Sequence, residues 1–230
     1  MKILNKNSLI ETVDRFNEAV FWDRDWVSEA GAIQEWTGDR LSDGRGYAGG
    51  LAMTEADWSR TFRLFTGEVL TTRAGRAHVI AEEGTRMLAL IENVTGVSSQ
   101  AREVSEKNLA SRIFESEGSK ADADGDFCCG TCSVALWRAL AAGVYRGHAS
   151  ALERGLKTLS RHRLPGGGWK RYPFYYTVSC LVESASLPAV RELRFHRETI
   201  QRRIGLLKKK SDRFANRRRE LLTRALDLAD

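Results

Sequence analysis

Two helices, each entered from a loop, begin at corresponding points of the stretch from Asp126 to Glu183, with a further helical segment between them. The first follows Asp126-Phe-Cys-Cys-Gly-Thr-Cys-Ser-Val-Ala-Leu-Trp137; the second follows the loop Pro165-Gly-Gly-Gly-Trp169 and opens near Tyr172-Pro-Phe-Tyr-Tyr-Thr177. Helix starts that recur at intervals of about 45 residues are what stacked helical hairpins produce, because one hairpin cannot bury its apolar face without a neighbour. This recurrence restricts the chain to an all-α architecture of stacked hairpins more than any bulk property does.

The rest of the chain agrees. It has three prolines in 230 residues and no alternating β-branched run that would mark a sheet. Helical spacing predicts segments over Ser8–Trp26, Glu55–Leu64, Arg73–Glu92, Ser98–Ser116, Phe127–Ala142, His148–His162, Pro173–Ser184 and from Pro188 onward. Ser8 with Glu11 three residues later has the form of a capping box. Pro173 and Pro188 suit first-turn positions, where the missing N–H costs nothing. A Gly-rich loop is expected over Gly44–Gly50 and an exposed acidic loop over Glu117–Asp124. The pairs 73–92/98–116, 127–142/148–162 and 173–184/188 onward then form three hairpins. The organisation expected is an N-terminal helical region with its Gly-rich loop (1–70), a hairpin-repeat domain (71–190) and a basic C-terminal helical arm (191–230).

That arm holds the excess charge. Residues 191–230 carry 13 Lys/Arg against 6 Asp/Glu, the other residues 23 against 24, and the whole chain is at +6. A local positive field attracts polyanions. Arg202, Arg203, Lys208, Lys209, Lys210, Arg213, Arg217, Arg218 and Arg219 are therefore candidate nucleic-acid-binding residues, set against the alternative of a solvated helix face. Leu193, Ile200, Leu207, Phe214, Leu221 and Leu228 fall every seventh position, with His196, Arg203, Lys210, Arg217 and Arg224 at the companion positions. Cations there oppose self-pairing, so the stripe is expected to lie along its own body or in a partner's groove. If continuous, the arm is a helix about 60 Å long, with Gly205 and Lys208–Asp212 as break points.

The hairpins preceded by Gly-Gly-aromatic loops resemble the α/α-toroid repeats of protein prenyltransferases and terpenoid cyclases, over residues 120–190. The resemblance implies a partial toroid or α-solenoid whose concave face holds a ligand. It sets Asp126-Phe-Cys128 where prenyltransferases carry an Asp-x-Cys zinc pair, and Tyr176 where they carry the histidine ligand. Zinc prefers Cys, His and carboxylate, so Tyr176 departs from the pattern. Three hairpins are half of the six in a complete toroid, leaving the arc to be closed by the N-terminal helices or by a second subunit.

The chemistry-bearing residues gather on that expected face. Cys128, Cys129 and Cys132 sit at a helix start, where the dipole favours thiolates, and Cys129 and Cys132 share a helical face. With Asp126 and Cys180 the cluster could hold a metal, zinc among the choices; alternatively the thiols are redox-active, or simply small buried residues. Trp169, Tyr172, Tyr175 and Tyr176 could line an apolar pocket or form core. Arg73, Arg76 and His78 open a helix and could hold an anionic small molecule, or face solvent. Asp122-Ala-Asp-Gly-Asp126 lacks the calcium-loop spacing, leaving Asp126 as a helix N-cap. The leading expectation is a ligand-binding protein or small enzyme, the competitors a polyanion-binding helical repeat and a partner-docking module. No apolar run spans a bilayer or marks a signal peptide, and four cysteines without a disulfide framework point to the cytoplasm.

Overall fold

The computed structural model describes residues 2–41, 45–116 and 119–230; Gly44 of the expected Gly-rich loop, and Glu117 and Gly118 of the expected acidic loop, lie outside them. The helices are α1 (Leu9–Phe21), α2 (Ala30–Gly38), α3 (Glu55–Trp58), α4 (Arg73–Thr95), α5 (Gln100–Ala110), α6 (Ala121–Asp124), α7 (Gly130–Ala141), α8 (Ser150–Ser160), α9 (Phe174–Ser184), α10 (Leu187–Phe195), α11 (Arg197–Leu207) and α12 (Arg213–Ala229). The expected all-α character holds. Among the described residues the exception is a two-residue antiparallel pair, β1 (Phe62–Arg63) with β2 (Val69–Leu70), too short to leave an alternating pattern.

The chain packs as two compact units that interleave in sequence. One comprises Met1–Arg63, Val69–Ser119 and Ala142–Gly147; the other Leu64–Glu68, Lys120–Ala141 and His148–Asp230. These boundaries differ from the 1–70, 71–190 and 191–230 partition expected from the sequence.

In the first unit α4 packs on α1 and α5. Ser8 caps α1 as its spacing suggested, its hydroxyl oxygen accepting from the Glu11 N–H at 3.0 Å. The reciprocal half of that box is absent, because the Glu11 carboxylate is drawn to Asn5, Arg15 and Arg60. Buried Asp57 takes over: it accepts from the Ser8 hydroxyl and from the Leu9 N–H at 2.9 Å, and completes a capping box with Thr54 at α3. Ile80, Ala81, Met87 and Leu88 of α4 are buried, and Ala77 is half-buried. Glu82, Glu83 and Arg86 are also buried, each with a partner: Tyr145 donates its hydroxyl to Glu82 at 2.8 Å, and Asn17 bridges Arg86 and Glu83. Buried charges survive only when paired in this way. Burial, with the charge of Glu82, drives the Tyr145 hydroxyl well above its ordinary pKa.

The second unit contains two hairpins, α7/α8 and α9/α10, with α7 against α9 and α8 against α10. Three close approaches set it. The backbone of Gly125 lies against Ala151 and Gly155, that of Gly155 against the Trp137 indole, and that of Gly130 against Arg171, so a Cβ at any of the three would meet an atom at 2.2 Å or less. The Trp137 indole N–H donates to the Gly125 carbonyl at 2.5 Å.

The C-terminal arm is three helices rather than one. It bends at His196 and turns at Lys208–Asp212, the polar run marked above as a break point, and α12 folds back on α11, α10 and α9. Asp212 makes the second break by capping α12, accepting from the N–H groups of Phe214 and Ala215 at 2.9 and 3.0 Å. Leu193, Ile200, Leu207 and Leu221 are buried, so the seven-residue stripe is largely consumed by the unit's own core. Other boundaries also shift. α5 ends at Ala110 and continues as a π turn over Ser111–Glu115. The acidic loop contains the short α6, with Ala121 fully buried.

Candidate functional site: the thiol cluster at the start of α7

The loop entering α7 is tied down from three sides. The Thr158 hydroxyl donates to the Asp124 carbonyl at 2.8 Å, the Phe127 N–H donates to the Ser133 hydroxyl at 3.0 Å, and that hydroxyl donates to the Asp126 carboxylate. Asp126 also accepts from the Tyr172 hydroxyl at 3.2 Å and pairs with Arg171 at 3.1 Å. Asp126 is therefore not the helix N-cap expected of it: α7 opens four residues later, and the carboxylate instead ties its own loop to the loop before α9. The two loops singled out by their sequence recurrence thus meet through Asp126, Arg171 and Tyr172.

This anchoring presents the cysteines. Cys128 adopts a left-handed backbone conformation, φ +59°, which turns the chain into α7. Cys128 and Cys129 are exposed, and Cys132, in the first turn of α7, is 1% exposed. The Cys129 and Cys132 sulfurs are 3.4 Å apart, and those of Cys128 and Cys132 lie within 4.8 Å. The sequence argument expected helix-dipole stabilisation of thiolates here. For Cys132 the opposite holds: its hydrogen bond with Cys129, then burial, then the charges that Cys129 and Cys128 would carry, push its thiol far up. The hydrogen bond to Cys129 and the burial of Cys132 outweigh a dipole worth at most about 2 kcal/mol. Cys180 is wholly buried on α9. Among the described residues, none of Cys180, Asp126 and Cys129 joins Cys128 and Cys132 in a set of ligand atoms all within 4.8 Å of one another.

The aromatic residues are mainly core. Tyr172 stacks on Trp137 at 5.3 Å, and its hydroxyl is pushed up by burial and by Asp126. Tyr176 is fully buried under the Arg138 guanidinium, which pairs with Glu183 at 2.7 Å. Tyr175 is half-buried beneath Arg218, with Arg203 lying over the neighbouring Phe174 ring at 3.8 Å.

Trp169 leads to a cluster the sequence reading did not identify. Its indole N–H donates to Glu192 at 2.7 Å, and Arg163 grips the same carboxylate with Nε at 3.0 Å and a terminal nitrogen at 2.5 Å. The Gly168 N–H donates to His196 Nδ1 at 3.3 Å, and His196 Nε2 lies 3.5 Å from Glu192. Burial alone would raise the Glu192 pKa; His196, Arg163 and Trp169 together outweigh it and bring it down to about 2. Beside this knot is a cleft of about 390 Å³ lined by Arg163, Leu164, Pro165, Gly167, Phe195, His196, Glu198 and Thr199. The only sequence signal was the Glu192/His196 spacing of four on one helix face.

The candidate basic residues are heavily engaged within the fold. Arg217 is 2% exposed, stacks on Phe65 and donates to its carbonyl at 3.1 Å; Arg218 donates to the Thr66 carbonyl at 2.6 Å. Arg202 donates to the Gly166 carbonyl at 2.9 Å and Arg219 to Asn216 at 2.8 Å, while Arg213 lies over Phe214. Lys208, Lys209 and Lys210 stand exposed on the α11–α12 turn. In the first unit, Arg73 and Arg76 cover the Trp58 ring at 4.5 and 5.5 Å. Arg76 also donates to the carbonyls of Asp57, Trp58 and Arg60 (2.8 Å for Arg60), closing the end of α3.

Compared with protein-family models, curated proteins and solved structures, the chain finds no match. Among the described residues, no helix is long and apolar enough to cross a membrane.

Proposed function

We propose that this is a ligand-binding helical protein whose primary ligand is a thiophilic metal ion, zinc first among them, held by the thiolates of Cys128, Cys129 and Cys132. One observation carries the reading: the Cys132 sulfur lies 3.4 Å from that of Cys129 and within 4.8 Å of that of Cys128. Tetrahedral zinc with bonds of about 2.3 Å to sulfur needs sulfurs about 3.8 Å apart, which requires the exposed Cys128 and Cys129 side chains to turn toward Cys132. Metal binding would replace the thiol protons of these residues, so affinity should rise with pH. Asp126, Tyr172 and Arg171 act from behind, fixing the loop that carries the ligands. The fourth coordination position is left to solvent or to a small ligand. The α7/α8 and α9/α10 hairpins are consistent with a piece of an α/α toroid, the architecture in which such a face would lie inward.

Titration of the reduced, full-length protein with Cd²⁺ tests the reading. One equivalent should develop a thiolate-to-metal charge-transfer band, and Cys132→Ala should abolish stoichiometric binding while the helical circular dichroism is kept. A reduced wild-type protein that gives no such band refutes it.

A further inference from the structure

The same cluster is asymmetric in a way that metal binding does not require. Cys129 is exposed, whereas Cys132, its neighbour at 3.4 Å, is buried in the first turn of α7. An external reagent can reach the first sulfur and not the second. The two residues are three apart at a helix start, where Cβ atoms lie about 5–6 Å apart, a short side-chain adjustment from disulfide geometry. Cys128 is adjacent to Cys129 in sequence, and a ring closed across one peptide bond is far more constrained.

We propose that Cys129 and Cys132 form a redox-active dithiol that undergoes thiol–disulfide exchange with low-molecular-weight disulfides, Cys129 attacking and Cys132 resolving. The Cys129 thiolate attacks one sulfur of a disulfide RSSR, forming a mixed Cys129–S–S–R bond and expelling RS⁻. Cys132 then gives up its proton and attacks Cys129 Sγ, breaking the mixed disulfide and expelling the second RS⁻. The protein dithiol is oxidised by two electrons, RSSR is reduced by two, and the two thiol protons end on two RSH. The order follows from burial, since Cys132 meets only a disulfide already carried by Cys129. Closure withdraws two of the three sulfur donors, so oxidation expels a bound ion. That last consequence rests on the metal reading above; the disulfide does not.

The experiment uses metal-free, reduced, full-length protein incubated with excess oxidised glutathione. Differential alkylation and fragmentation mass spectrometry then locate the bonds. The expected result is a Cys129–Cys132 link in the wild type, a glutathione adduct that persists on Cys129 in Cys132→Ser, and no adduct on Cys132 in Cys129→Ser. A bond made through Cys128 instead, an adduct that persists on Cys129 in the wild type, or no reaction at Cys129 overturns the proposal. Cd²⁺ titration of the same reduced sample separates the two readings. A link without a charge-transfer band refutes the metal reading alone; a band without a link refutes the dithiol alone.

Discussion

Replacing Glu192 by Gln tests the knot that holds the Pro165–Trp169 loop to α10. The Glu192 carboxyl titrates near 4.5 when unconstrained and at about 2 in the fold. At about 1.4 kcal/mol for each tenfold in proton affinity, the ionised form contributes about 3 kcal/mol at neutral pH. Because the folded pKa is the depressed one, this contribution is complete above pH 4.5 and is lost as pH falls toward about 2. Arg163 is 31% exposed, so its own share is screened to about 1 kcal/mol; the remainder comes from the buried contacts with His196 and Trp169. Glu192→Gln should therefore cost about 3 kcal/mol at pH 7, and the gap from wild type should shrink by more than half by about pH 3. Urea unfolding followed by circular dichroism measures the loss. Hydrogen exchange localises it at the N–H groups of Leu164 and Lys170, which donate to the carbonyls of Gly168 and His162. A cost below about 1 kcal/mol at pH 7, or an equal cost at both pH values, would refute the assignment.

Two further substitutions test the packing of the same unit. Gly167 has φ +90°, and a Cβ there would fall 2.0 Å from the Thr199 hydroxyl, whereas Gly166 has open space around its Cα. Gly167→Ala should cost at least about 2 kcal/mol in thermal or urea unfolding and Gly166→Ala almost nothing; equal effects would contradict the geometry. Arg217 is buried against Phe65 while Lys209 is exposed, so Arg217→Ala should cost about 3 kcal/mol and Lys209→Ala less than about 0.5, measured by the same unfolding curves. If the two losses were alike, α12 would not be docked as described.

Sequence reading located most helices because their apolar spacing and end signals are local. Ser8 capped α1, the polar run at Lys208–Asp212 broke the arm, and the loops before α7 and α9 proved to meet. Its errors arose where a side chain's partner is distant in sequence. Asp126 looked like an N-cap, but Arg171 and Tyr172, more than forty residues on, recruit it. Arg217 looked like solvent-facing charge until the Phe65 carbonyl, 152 residues away, claimed it. The knot of Arg163, Trp169, Glu192 and His196 joins a loop to a helix, and nothing in the spacing of those residues signals that a single carboxylate gathers all three partners.

By itself the sequence determined an all-α chain built of hairpins, the clustering of three cysteines at one helix start, and the concentration of positive charge in the last forty residues. These depend on residue spacing along the chain, and an α-helix converts spacing directly into a face. Tertiary structure decided which cysteine is buried, which carboxylate is held ionised, and which cations are left exposed. Burial and hydrogen bonding set those properties, and both depend on atoms that only folding brings within a few ångströms of one another.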